Sequence, residues 1–293
     1  AFVYEPPPGV TDEADNLQAP LNPTRQQINE QSLRLQAGGI PKYRRAEAFM
    51  GFPERQKSFI AYKALRGWAR GPVKGDVGGL AEISVPEGCM FTGLEGTKKF
   101  LEATGNLIGG REKAILLNPE EEWFLVFEFS DCGYVKDDEK DALNANEILK
   151  SLKSSNDEGN QERKRRGLST LTILGWEEPP HYDAKTHNLV WATRSQAEGH
   201  LVINHNTRLL GRRGVMEVTL VCDPEKFAAA SQSTRELLGG YKFASGGDYA
   251  SYRKGDKLAE YGLTALVAGG AVAVAAKSGL LKGLWKMIAV GIA

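Results

Sequence analysis

The densest run of chemically capable side chains lies between Trp176 and Gly214. In NHNTRLLGRRG (Asn204 to Gly214), Asn204, Asn206 and Arg208 share one face of an expected strand and His205 takes the other, because successive strand residues point to opposite faces. Arg212 and Arg213 follow in a glycine-flanked turn. Guanidinium forks and amides gathered this way can grip an anionic or carbohydrate ligand. The simpler reading is a sheet face whose buried polar groups bond loop backbone and the nearby carboxylates Glu177, Glu178 and Asp183. Those same carboxylates could act as general acid and base if their surroundings separated their pKa values.

Other chemistries lack their patterns. His181, His187, His200 and His205 all fall in this quarter of the chain, but without HxH, HxxxH or HExxH spacing, so no metal site is expected. There is no GxSxG elbow, no GxxxxGK[ST] cradle and no GxGxxG turn. The acidic run Lys136 to Asp141 lacks the ligand spacing of a calcium loop and reads as a solvated turn. The basic cluster Arg163 to Arg166 reads as a charged helix end. Cys89, Cys132 and Cys222 form no CxxC pair and allow one disulfide at most. No catalytic residue and no cofactor are therefore assigned.

The elements that must position these groups form a mixed pattern. Residues 1–70 hold a proline-rich arm (1–23), a helix from Asn22-Pro23 to Gly38-Gly39, and a second helix from Glu54 to Arg66. From Gly71 the texture changes to short strands and glycine turns. Two strands fall within Gly71 to Phe91, broken at Pro86-Glu87-Gly88, and a short helix within Thr97 to Thr104. Glu122 to Ser130 is the strongest strand signal, with Trp123, Leu125, Phe127 and Phe129 on one face. A helix starts at the capping-box-like Asn144 and Glu147 and buries Ala145, Ile148, Leu149 and Leu152, its stripe fading after Lys153. Strands follow at Leu171 to Trp176, His187 to Arg194, Leu201 to Arg208 and Val215 to Cys222, then a helix from Asp223-Pro224 to Leu238. Strands with irregularly interspersed helices predict an α+β fold, largely antiparallel, with flanking helices. The body is expected over 71–255.

The remaining segment, 256–293, reads as a membrane anchor. Gly262 to Ala276 (GLTALVAGGAVAVAA) carries no charge. At about 1.5 Å per residue it falls short of a ~30 Å hydrocarbon core, unless the helix runs on to Leu281 with Lys277 reaching the headgroups. Ala265, Gly269 and Ala273 recur every fourth residue and would let helices approach closely. Gly262, Leu263, Leu266 and Gly270 complete the expected span, and Trp285 belongs to a basic amphipathic follow-on. A lipid bilayer is thus the first expected partner. Across the 293 residues, Lys plus Arg equals Asp plus Glu at 37 each, which argues against nucleic acid. The sequence opens at Ala1 without methionine, and a removed signal peptide is the expected reason.

Several runs, in order, resemble a bacterial family of uncharacterised membrane-anchored proteins, a domain of unknown function. They are VPEGCMF (Val85 to Phe91), WFLVFEFSDCGYVKDDE (Trp123 to Glu139), NQERKRRG (Asn160 to Gly167), GWEEPPHYDAKTHNLVWA (Gly175 to Ala192), NHNTRLLGRRGV (Asn204 to Val215) and DKLAEYGLTALVAGG (Asp256 to Gly270). The resemblance implies an inner-membrane protein with its main domain on the periplasmic side, and it supplies no activity. The expectation is a structural or interaction module that forms homo-oligomers or binds other envelope proteins. An envelope hydrolase and an anion-binding sensor are the alternatives.

Overall fold

A computed structural model describes residue 65 and residues 67–197 and 199–268. The expected arm and first helix, most of the second, and the anchor residues Gly269, Gly270, Ala273, Lys277, Leu281 and Trp285 lie outside that range.

In chain order the elements are β1 (Ala69–Arg70), β2 (Val73–Asp76), β3 (Ala81–Val85), β4 (Met90–Thr92), α1 (Leu94–Ala103), β5 (Glu112–Asn118) and β6 (Trp123–Ser130). Then come α2 (Ala145–Arg165), β7 (Leu171–Asp183), β8 (Asn188–Ala197), β9 (His200–Leu210), β10 (Val215–Cys222), α3 (Phe227–Gly239), β11 (Lys242–Phe243) and α4 (Leu263–Ala268). Eight strands form one sheet in the order β1-β4-β5-β6-β10-β9-β8-β7, and β11-β3-β2 form a smaller one. Every pairing between named strands is antiparallel. The α+β expectation holds.

Both faces of the large sheet are covered, which is why β6 is buried at nearly every position rather than at alternate ones. On one face Phe100 of α1 packs edge-on to Phe124 of β6 at 5.2 Å. Ile148 and Leu152 of α2 join Trp191, Leu189, Leu210 and Val215 there in a second core cluster. On the other face Phe227 at the start of α3 lies 5.7 Å from the His205 ring.

Three differences from the sequence reading have local causes. First, β5 (EKAILLN) has no clean period-two alternation, because four consecutive residues, Ala114 to Leu117, are buried. Second, α2 is pinned beyond Lys153 by polar side chains. Asn156 and Asn160 both donate to the Leu171 carbonyl at 2.7 Å, and Asn160 Oδ1 accepts the Leu171 amide at 2.9 Å. Arg163, 5 % exposed, donates to the carbonyls of Ser169 and Gly105, so the basic cluster does not simply end a solvated helix. Since β7 is the outer strand of the sheet, the Asn160 amide stands where a neighbouring strand would.

Third, packing continues through the boundary expected at 255/256. Leu263, Leu266 and Val267 of α4 are buried with Ile148, Leu152 and Trp191 in the body's core rather than presented outward. Among the described residues no helix is long and apolar enough to cross a membrane.

Candidate functional site

Residues directly opposite on neighbouring strands share a face. The register therefore lines up Glu128 (β6), Glu217 (β10), Arg208 (β9) and Leu189 (β8) across the sheet. The next row on that face is Val126, Thr219, Asn206 and Trp191, and the one beyond is Phe124, Val221, Asn204 and Thr193. Asn204, Asn206 and Arg208 do share a face, as their spacing predicts, but that face lies inside the protein, beneath α1 and α2.

The seam they form has its own partners. Arg111 grips Glu217 through Nη1 to Oε1 at 2.6 Å and Nη2 to Oε2 at 3.4 Å. Arg208 Nη2 stands 3.4 Å from Glu217 Oε2, and its guanidinium carbon lies 4.7 Å from the Trp191 ring centre. That is charge neutralisation on one side and a cation–π contact on the other. Asn206 donates to the Asn204 carbonyl at 3.1 Å and accepts from Thr219 Oγ1 at 3.3 Å. Burial pushes Glu128 up to about 7, against the pull of Arg111 and Arg208.

Arg212 and Arg213 lie apart, in the β9–β10 turn. Arg212 Nε and Nη2 clasp Asp256 at 2.7 and 2.8 Å, and the bond from Arg212 holds Asp256 well below the usual carboxylate range. Arg213 is exposed, and its carbonyl accepts the Gly133 amide at 2.9 Å. The five expected ligand-binding residues thus form a buried sheet seam and a separate turn.

The expected carboxylates also divide. Glu177 pairs with Arg194 at 2.7 Å. Asp183 accepts the Lys185 amide and the Thr186 hydroxyl within its own turn. Glu178 stands between two imidazoles, 3.5 Å from His181 Nδ1 and 3.6 Å from His205 Nε2. His205 is 2 % exposed, and burial first, then Arg235, lowers it to about 4. Among the described residues no cluster of three or more His, Cys, Asp or Glu side chains converges as a metal site. The three cysteines are free, Cys89 and Cys222 buried and Cys132 half-buried.

Sequence reasoning missed a second constellation at the sheet end. The rings of Tyr252, Tyr134, Tyr249 and His187 stack in series at 4.3, 4.4 and 4.5 Å. His187 Nδ1 lies 3.0 Å from the Tyr182 hydroxyl, which donates to Asp137 at 3.1 Å. Beside it, Glu139 Oε2 accepts the Thr264 amide at 2.9 Å and holds the first turn of α4. The acidic run is therefore not only a solvated turn: Asp137 and Glu139 fix the aromatic stack and the C-terminal element. Tyrosines spaced over more than a hundred residues carry no local signal.

A family model described as "Protein of unknown function (DUF2167)" matches residues 68–293, taking in both the sheet and α4. The chain belongs to that family. No curated protein matches this DUF2167 chain. Among solved structures it is similar to the PsbP protein of the cyanobacterium Synechocystis sp. PCC 6803, at 10 % identity and a TM-score of 0.38, over 58 % of this chain and 90 % of that one. It is also similar to the Saccharomyces cerevisiae Ran-binding protein Mog1p, at 9 % identity and a TM-score of 0.34, over 63 % and 100 %. Similarity at these scores carries no functional argument for the DUF2167 chain.

Proposed function

We propose that this chain is an interaction module of the bacterial envelope, held at the inner membrane by its C-terminal segment with the body on the periplasmic side. In this reading it works by assembling with its own copies or with other envelope proteins rather than by catalysing a reaction. The observation that supports it is the docking of α4. Leu263, Leu266 and Val267 are part of the core, and Glu139 holds the Thr264 amide. The uncharged sequence Gly269 to Ala276 therefore departs from a fixed point on the body rather than from a loose tether. The small residues Gly269 and Ala273, four apart beyond that helix, would supply a surface for self-association in lipid.

The test is to express the full chain in a bacterial host. We expect it to stay with membranes through alkaline carbonate washing, to lose its body to protease added to spheroplasts, and to run in detergent well above its 32.0 kDa monomer mass. Release by carbonate would refute the anchor, full protection the orientation, and a monomer at all concentrations the assembly.

The hydrolase alternative retains Glu178, which two histidines flank, while Glu177 and Asp183 are engaged elsewhere. A glycan- or lipid-cleaving activity of the purified chain that Glu178→Gln abolished would favour it.

A further inference from the structure

Between the small sheet, the β5–β6 turn and α3 lies an open-mouthed cavity of about 430 Å³, a size that suits a small ligand. Its inner wall is buried: Trp123 is 1 % exposed and Cys89 3 %, and Leu237 of α3 adds apolar surface. Three exposed carboxylates stand at its mouth, Glu87 from the β3–β4 turn, Glu121 from the β5–β6 turn and Glu236 from α3. No lysine or arginine lines it, and among the described residues none of the three carboxylates forms a salt bridge.

Glu121 holds the cavity in shape. Its Oε2 accepts the Trp123 indole N–H at 2.7 Å and the Ser233 hydroxyl at 3.3 Å, which ties the turn to α3. Cys89 is an independent sign of a ligand. Its thiol is free, buried and lines the cavity, with no hydrogen-bond partner among the described residues. A ligand entering there would supply the partner that a buried donor lacks. Burial first, then Glu121, pushes this thiol up to about 11, so at neutral pH the wall is uncharged and the negative charge is confined to the rim.

Carboxylates above a low-dielectric wall concentrate the field at the mouth, where they attract cations and repel anions. Among the described residues no three such groups converge on a metal ion, so the rim suits an extended organic cation. An aliphatic stem would bury against Leu237, and the Trp123 ring favours a nearby cation.

We propose that this cavity binds an ammonium or guanidinium group carried on an aliphatic stem, with the stem along Trp123 and Leu237 and the cation between the rim carboxylates. The inference is independent of the membrane reading.

Calorimetric titration of the full chain tests it, with spermidine as a free amine and a capped Ala-Ala-Lys-Ala-Ala peptide as a side chain. At least one should bind, and the tighter identifies the source. The combined change Glu87→Gln, Glu121→Gln, Glu236→Gln should weaken binding by roughly tenfold or more. Asp138→Asn, Asp141→Asn and Asp157→Asn, also exposed, should leave it unchanged. Binding of neither compound at millimolar concentration, or equal losses in the two triple variants, overturns the site. If the rim variant does not fold, the indole N–H resonance of Trp123 in the wild type answers instead. It should shift on titration while those of Trp68, Trp176 and Trp191 stay in place. A Trp123 signal unmoved at saturation overturns the proposal.

Discussion

Glu139 and Thr264, 125 residues apart in sequence, meet at 2.9 Å, the carboxylate taking an amide that the first turn of α4 leaves unpaired. The approach depends on Gly262, where an added Cβ would lie 2.4 Å from Glu139 Oε1. Removing the acceptor by Glu139→Ala should cost about 1 kcal/mol, in the range of a lost helix cap. Hydrogen exchange should report the loss locally, with faster opening over α4 and unchanged protection in β6 and β10. Gly262→Ala should produce the same local signature by pushing the carboxylate aside.

Two arginine contacts predict losses of very different size. Glu217→Gln leaves the half-buried Arg111 and Arg208 beside a neutral partner and should destabilise by roughly 3 kcal/mol. Arg212→Ala breaks a pair at the surface turn and should cost far less, because solvent screens it. Urea midpoints separate the cases, and equal midpoints would contradict the burial argument.

Asn160→Ala should expose the backbone of the outer strand. The Leu171 amide loses the acceptor that faces it, at a cost of about 1–3 kcal/mol. An uncovered strand edge also promotes association. Light scattering at raised concentration should show more self-association than in Asn160→Gln, whose longer amide can still reach the edge.

Two buried groups set opposing pH trends. His205 falls to about 4 from 6.5, so the unfolded chain takes its proton first and stability is lost as pH drops from 6.5 towards 4, by roughly 3 kcal/mol at most. Glu128 rises to about 7 from 4.5, so stability is lost as pH climbs from 4.5 to 7. Replacing His205 by Leu should therefore raise the unfolding midpoint, relative to the wild type, more at pH 4.5 than at pH 7. Glu178, His181 and Arg235 are the charged or titratable neighbours of His205 and stay in place in that comparison. A difference independent of pH would remove His205 as the cause.

The strands over 171–222, the Asn144 cap and the start of α3 were legible in the sequence because each rests on local chemistry: period-two alternation, a side chain reaching its own helix amides, proline at a first turn. The shared face of Asn204, Asn206 and Arg208 was legible for the same reason, since a strand fixes which residues point together. Its burial was the simpler reading of the sequence, but which segments cover and compensate it was not legible. The side chains are polar, and only the placement of α1 and α2 over the sheet turns them inward, where Glu217, Arg111 and Trp191 from three other segments compensate them. In the same way the apolar composition of Gly262 to Ala276 is a local property that marked the segment out. That α4 begins in the core, held by Glu139, depends on contacts more than a hundred residues away, and such pairings leave no trace in local spacing.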